Sequence, residues 1–207
     1  MKTQMLLGFA LFTVLTAVDS IWAQENSAEI RTRLDDGAPP SRLTDYDIHL
    51  NPQLGLSSFE YSGRSTGSSK QQLSGGLTAE FGGPARKLET GVVIMRTGSA
   101  VEGEDITSTY LALPMMAKIR VVSLRAQSWY TKFGFMSAFE LNSSRDSVTN
   151  NFDVIGSLGV GGRLPLNRTM DVLVDASYNR GLLDALRTQG ENYNQGFLFL
   201  AGVSIRI

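Results

Sequence analysis

The run Asn194 to Ile207, NQGFLFLAGVSIRI, admits few folds. Side chains of an extended strand alternate between its two faces. Phe197, Phe199, Ala201, Val203, Ile205 and Ile207 therefore share one face, and Leu198, Leu200, Gly202, Ser204 and Arg206 share the other. One face is wholly apolar, while the other ends in a charge. No residue follows to cover the apolar face. The expectation is a strand whose greasy side meets lipid.

The same alternation recurs upstream. Strands are expected over Ile48 to Phe59, Gln71 to Phe81, Lys87 to Arg96, Thr109 to Val121, Gln127 to Leu141, Phe152 to Leu164 and Thr169 to Arg180, with the final run as the eighth. Each is long enough to cross a bilayer as a tilted strand. Pro52 and Pro114 fall inside strands and remove ladder donors, so a bulge is expected at each. The connections alternate in length. Segments 58–70, 97–108, 142–151 and 181–193 are long, while 82–86, 122–126 and 165–168 are short. Short turns on one rim and long loops on the other are the pattern of a bacterial outer-membrane barrel, with the N-terminus on the short-turn, periplasmic side.

The remaining chain fits an exported protein. Lys2 precedes an apolar run, Met5 to Val18, too short to span a bilayer as a helix, and a small-residue cleavage region ends at Ala23. Residues 1–23 read as a signal peptide, 24–47 as a flexible polar periplasmic leader and 48–207 as the barrel. Cysteine is absent, so a closed sheet or a core must hold the fold. A formal net charge of −1 gives no footing for nucleic acid.

Alternation alone does not say which face is inside. A soluble barrel would enclose the apolar face, and a membrane barrel would expose it. The apolar face carries Leu, Phe, Met and Trp, whereas the other is rich in Gly, Ser, Ala and Thr. A small eight-stranded bore has room only for the second set and a few long charges. Aromatic residues recur near strand ends, at Phe81, Trp129, Phe139, Tyr178 and Phe197, as a girdle at two membrane interfaces requires. The fold expected is all-β: an eight-stranded, antiparallel, transmembrane up-and-down barrel in the cell outer membrane.

The charges then face inward. Glu80, Glu89, Glu140, Asp153, Asp171 and Asp175 are nearly balanced by Lys118, Arg120, Lys132, Arg163 and Arg206. Unpaired charges in a narrow bore are costly, so a paired network that fills the lumen is expected. On the lipid face the same residues would cost roughly 2–4 kcal/mol each at the midplane.

Residues that could carry chemistry are few. The one histidine, His49, opens the first strand at the periplasmic rim, away from outer-leaflet substrate, so no catalytic residue and no enzyme activity are assigned. No Cys or multi-His spacing suits a metal, and no cofactor is implied. Glu102, Glu104 and Asp105 read as a solvated acidic loop rather than a cation site.

Several strands resemble a known family. Thr109-Tyr-Leu-Ala-Leu-Pro-Met-Met-Ala-Lys-Ile-Arg120, Trp129-Tyr-Thr-Lys-Phe-Gly134, the glycine-repeating Phe152 to Gly162, and Met170 to Leu182 resemble, in order, strands of the small porin-like outer-membrane β-barrel family of Gram-negative bacteria. The resemblance covers roughly Leu54 to Ile207. It implies an eight-stranded outer-membrane barrel with no shared enzymatic residues. Such chains often end in Phe, read by the barrel-assembly machinery, whereas Ile207 stands last here.

The function expected is structural or surface-interacting, with outer-membrane lipid around the barrel, the assembly machinery as a partner during insertion, and an extracellular partner met through the long loops. A narrow pore or gated channel is the alternative. A hydrolase of envelope lipid is the third.

Overall fold

In the computed structural model, residues 47–63, 68–101, 104–124, 127–144, 151–183 and 192–207 are described. They form eight strands: β1 Asp47–Gly63, β2 Ser68–Gly82, β3 Arg86–Val101, β4 Glu104–Leu124, β5 Gln127–Ser143, β6 Phe152–Pro165, β7 Met170–Gly181 and β8 Asn192–Arg206. Each pairs antiparallel with its neighbours in sequence, and β1 pairs with β8, which closes the sheet into a barrel. Closure leaves no sheet edge, so every strand is paired on both sides. The signal segment and nearly all of the leader lie outside the described residues.

The period-two pattern sorts the side chains as lipid and bore require. Leu54, Leu73, Leu158 and Val160 point outward and are 66%, 61%, 62% and 63% exposed. On the opposite parity Asn51, Ser57, Glu80, Asn179 and Ser204 are sealed inside at 0%. A soluble barrel would show the reverse. Here the polar atoms are enclosed and the hydrocarbon faces outward, the arrangement that lipid stabilises and water does not.

The strands outrun the expected bounds. Segments 58–70 and 97–108, read as long loops, are mostly strand, because β1 and β2 extend to Gly63 and Ser68, and β3 and β4 to Val101 and Glu104. Paired residues continue from Thr97↔Ser108 to Val101↔Glu104. Apolar alternation marks only the lipid-facing part of a strand. Above the bilayer the outward face is wet, while the inward face holds small buried polar residues such as Thr97 and Ser108, so Ser, Thr and Gly sustain the ladder without that signal. The longer connections are therefore 144–151 and 182–191, at one end of the barrel. At the other end the turn before β7 is fixed by Asn167, whose Oδ1 accepts from the backbone of Thr169 (2.9 Å) and Met170 (2.8 Å).

The bulges expected at the prolines are absent. The β1–β8 ladder passes from Leu50↔Ile205 to Gln53↔Gly202 across Pro52, and β3–β4 from Thr90↔Met115 to Val93↔Ala112 across Pro114, both without a change of register. A missing donor interrupts the ladder there without displacing it. The register shifts instead lie between Ser69 and Gly75 on β2 against β3, and at both ends of β4 against β5.

Candidate functional site

The bore near the short-turn end gathers charge from six strands. Strand pairing sets Glu80 on β2 directly opposite Glu89 on β3, and Lys118 on β4 directly opposite Lys132 on β5. Like charges side by side are unfavourable unless each reaches an opposite charge. Lys118 does so three times. Its Nζ lies 2.6 Å from Glu80 Oε1, 2.5 Å from Glu89 Oε2 and 3.8 Å from Asp175 Oδ2. It also stands 4.5 Å from the centroid of the Tyr130 ring, a cation–π contact. Lys132 Nζ is 3.3 Å from Asp175 Oδ1 and 3.8 Å from Glu89 Oε1. The Tyr130 hydroxyl donates to Asp175 Oδ1 at 2.8 Å.

Arg163 links the far wall. From β6 its Nη2 donates to Glu80 Oε2 on β2 at 2.5 Å, and its Nε is 3.8 Å from Asp171 Oδ2. Strands β2 and β6 are diametrically placed in the closed order, so this bond crosses the bore. Arg163 Nη1 also lies 3.2 Å from His49 Nδ1, and the same ring nitrogen is 3.1 Å from Ser204 Oγ. Asn51 Nδ2 donates to Glu80 Oε1 at 2.9 Å, and Gln53 Nε2 to Thr78 Oγ1 at 3.3 Å. Glu80, Glu89, Lys118, Lys132 and Asp175 are all buried. In such a low-dielectric place each bond is stronger than in water and each lost partner costs more.

A second layer lies nearer the long-loop end. Val93 and Met95 follow Glu89 along β3, and Met136 and Ala138 follow Lys132 along β5. With Phe59, Tyr110, Ala112 and Ile155 they form a buried apolar cluster within the bore. The sequence reading missed this layer. Val93, Met95 and Ile155 share parity with Glu89 and Asp153, but both faces are apolar at that height, so alternation offers no contrast.

Of the residues expected in the lumen network, Glu80, Glu89, Lys118, Lys132, Arg163, Asp171 and Asp175 are brought together. Four are not. Arg120 keeps the parity and register of Lys118, since Lys118↔Lys132 and Arg120↔Tyr130 lie on one unbroken ladder, but it stands at the short-turn rim beyond the charged level and is exposed there. The Arg206 side chain is 52% exposed and only 3.9 Å from Asp47 at that same rim. Glu140 is half-buried at the long-loop end, opposite Tyr110. Asp153 is buried at the long-loop end, and no ion pair reaches it among the described residues.

The aromatic residues form two outward groups. Trp129 lies at the short-turn rim and is 45% exposed, with Phe81 also near that rim. Phe139, Tyr178 and Phe197 lie toward the long-loop end. Phe139 packs on Phe152 with centroids 5.1 Å apart, and Tyr178 on Phe197 at 5.4 Å. Phe152 belongs to this belt, although it opens its strand and carries little alternation to mark it.

No three His, Cys, Asp or Glu side chains gather as a metal centre among the described residues. Glu104 and Asp105 begin β4, and Glu102 lies outside the described residues. His49 is buried and held by Ser204 and Arg163 at the short-turn end.

Solved structures share this architecture. Neisserial surface protein A (NspA) is 13% identical, with a TM-score of 0.53 over 77% of this chain and 97% of that one. The outer membrane protein OprG from Pseudomonas aeruginosa is 12% identical, with a TM-score of 0.52 over 78% and 96%. At these identities the likeness is one of fold. No protein-family model and no curated protein matches the sequence. Closed eight-stranded order, outward hydrocarbon and paired aromatic belts together make this an outer-membrane β-barrel in architecture.

Proposed function

We propose that this barrel serves the outer membrane as a structural or surface-interacting protein whose lumen does not conduct. The observation that carries the reading is the Arg163–Glu80 bond between opposed strands. A side-chain bridge across a narrow bore leaves an ion no straight path. Lys118 on β4 and Lys132 on β5 tie in β3 and β7 through Glu89 and Asp175, and the charges nearly cancel, so no sign of ion is favoured. The apolar layer above adds a dry stage.

Outer-membrane lipid is the surrounding partner on this reading, and the barrel-assembly machinery acts during insertion. A partner outside the cell would meet connections 144–151 and 182–191 and the tips of the β1–β2 and β3–β4 hairpins. An envelope-lipid hydrolase is disfavoured, because the one histidine is buried among Ser204 and Arg163 at the wrong end for an outer-leaflet substrate.

Single-channel recording in planar bilayers tests the proposal. The wild-type protein should insert, as judged by a heat-dependent gel shift, and remain electrically silent. Steady stepwise conductance would overturn the reading and favour a pore.

A further inference from the structure

The outward wall is not evenly covered. Strand pairing sets Trp129, Gly162, Val174, Ala201 and Leu54 on one rung that crosses β5, β6, β7, β8 and β1. The large side chains stand at its two ends, with Gly162, Val174 and Ala201 between them. On the next rung toward the long-loop end, Ala176 lies between Val160 and Phe199. The result is a groove of about 450 Å³ between the middle of the wall and the short-turn rim. Gly162, Ala176 and Ala201 form its floor, and Trp129, Leu54 and Phe199 bound it. Its volume is that of a site for a small apolar ligand.

Trp129 shapes one end. Its six-membered ring lies on Gly162, where a Cβ would stand 2.9 Å from Cζ3, so the glycine both seats the ring and keeps the floor low. Every outward side chain that lines the groove is apolar. A polar ligand or a peptide would lose its hydrogen bonds there. A second barrel is convex and would bridge the groove rather than fill it. The groove is continuous with the wall that meets lipid, so hydrocarbon chains reach it directly. A chain on a flat wall touches protein on one side. A chain laid in the groove touches it on three, and each added contact is added dispersion attraction.

We infer that this groove binds one acyl chain of a phospholipid from the periplasmic leaflet, and that it holds this chain longer than the rest of the wall holds its neighbours. The leaflet follows from Trp129, which stands at the short-turn rim, where headgroups lie, while the groove runs from it toward the middle of the bilayer. The site is on the outer wall and stands whether or not the lumen conducts.

The test uses the full chain carrying Trp22→Phe, so that Trp129 is its one tryptophan. It is refolded in phosphatidylcholine vesicles whose acyl chains carry bromine, then released into mild detergent and weighed intact by native mass spectrometry. One retained phospholipid per folded barrel is expected, and Trp129 fluorescence should stay quenched while that lipid is bound. Ala176→Leu fills the floor, so it should lose most of the bound lipid and recover the fluorescence. Val92→Leu, outward on β3 and away from the groove, should keep both signals. If Ala176→Leu fails to give the gel shift of a folded barrel, Ala201→Leu takes its place. No retained lipid on the folded starting protein overturns the site, as does equal retention by the folded floor variant or equal loss from Val92→Leu. A dimer mass without lipid, abolished by the floor variant, overturns it in favour of a second copy.

Discussion

Glu80 and Glu89 face each other on adjoining strands, and the single ammonium of Lys118 touches both. Without it two carboxylates would share a buried wall. Lys118→Ala is therefore expected to destabilise the barrel by about 3–5 kcal/mol, the usual effect of stripping one partner from a buried ion pair. Urea unfolding of the refolded protein in lipid vesicles measures this. Adding Glu80→Gln and Glu89→Gln to Lys118→Met should recover most of the loss, because the cost lies in orphaned charge. A Lys118→Ala loss below about 1 kcal/mol would mean that water reaches the cluster.

The outward assignment of the apolar face separates two residues of equal exposure. Val160 is 63% exposed in the middle of β6, and Leu166 is 61% exposed at the short turn that follows. Val160→Lys should cost about 2–4 kcal/mol of folding in lipid, because a charge at mid-bilayer loses its hydration, and Leu166→Lys about 0–1 kcal/mol, because water or headgroups reach it. Folded fractions in vesicles, read from the gel shift, give both numbers. Equal small effects would mean that lipid does not touch the barrel wall at Val160.

The barrel was legible in the chain because lipid on one side and a packed bore on the other impose a period of two. Leu54, Leu73, Leu77, Leu158 and Phe199 all point outward as their parity requires. Legibility failed where the physics changes. Past the bilayer the outward face of a strand meets water and needs no apolar side chains, so the upper parts of β1 to β4 lack the alternation and look like loop. At the mouth of the barrel inward parity no longer means enclosure, so Arg120, in register with Lys118, is exposed at the short-turn rim. At the height of Val93, Met95 and Ile155 both wall faces are apolar, so the dry layer of the bore was invisible. The pairing of the inward charges depends on which strands oppose one another. Parity puts Glu80 and Arg163 inside, but only closure of β1 on β8 sets them across the bore from each other.

Gly161 controls how closely the network can pack. It lies inside β6 beneath the Tyr130–Asp175 hydrogen bond, and a Cβ at that position would stand 2.5 Å from the Tyr130 hydroxyl. Tyr130 cannot retreat, because Lys118 sits on its ring. Gly161→Ala should therefore cost about 1–3 kcal/mol by overpacking. Pairing it with Tyr130→Phe, which removes the hydroxyl, should return part of that loss. A double-variant unfolding cycle measures the coupling, and strict additivity would show that the two residues do not compete for the space.

Trp129 reports the depth of the barrel in the bilayer. A chain beginning at Gln24 holds this one tryptophan, since the other is Trp22. Its ring projects outward at the short-turn end, opposite Gly162 on the next strand. A Cβ on residue 162 would lie 2.9 Å from the indole, so the glycine gives the ring a flat seat on the wall. Tryptophan at such a rim sits among headgroups, where its body meets hydrocarbon and its N–H meets water. Lipids carrying bromine close to the headgroup should quench its fluorescence more strongly than lipids carrying bromine near the chain ends. Gly162→Val should tilt the ring off the wall and alter that depth profile without unfolding the barrel. Stronger quenching from mid-bilayer bromines in the wild type would place Trp129 deep in the hydrocarbon and move the whole short-turn rim inward with it.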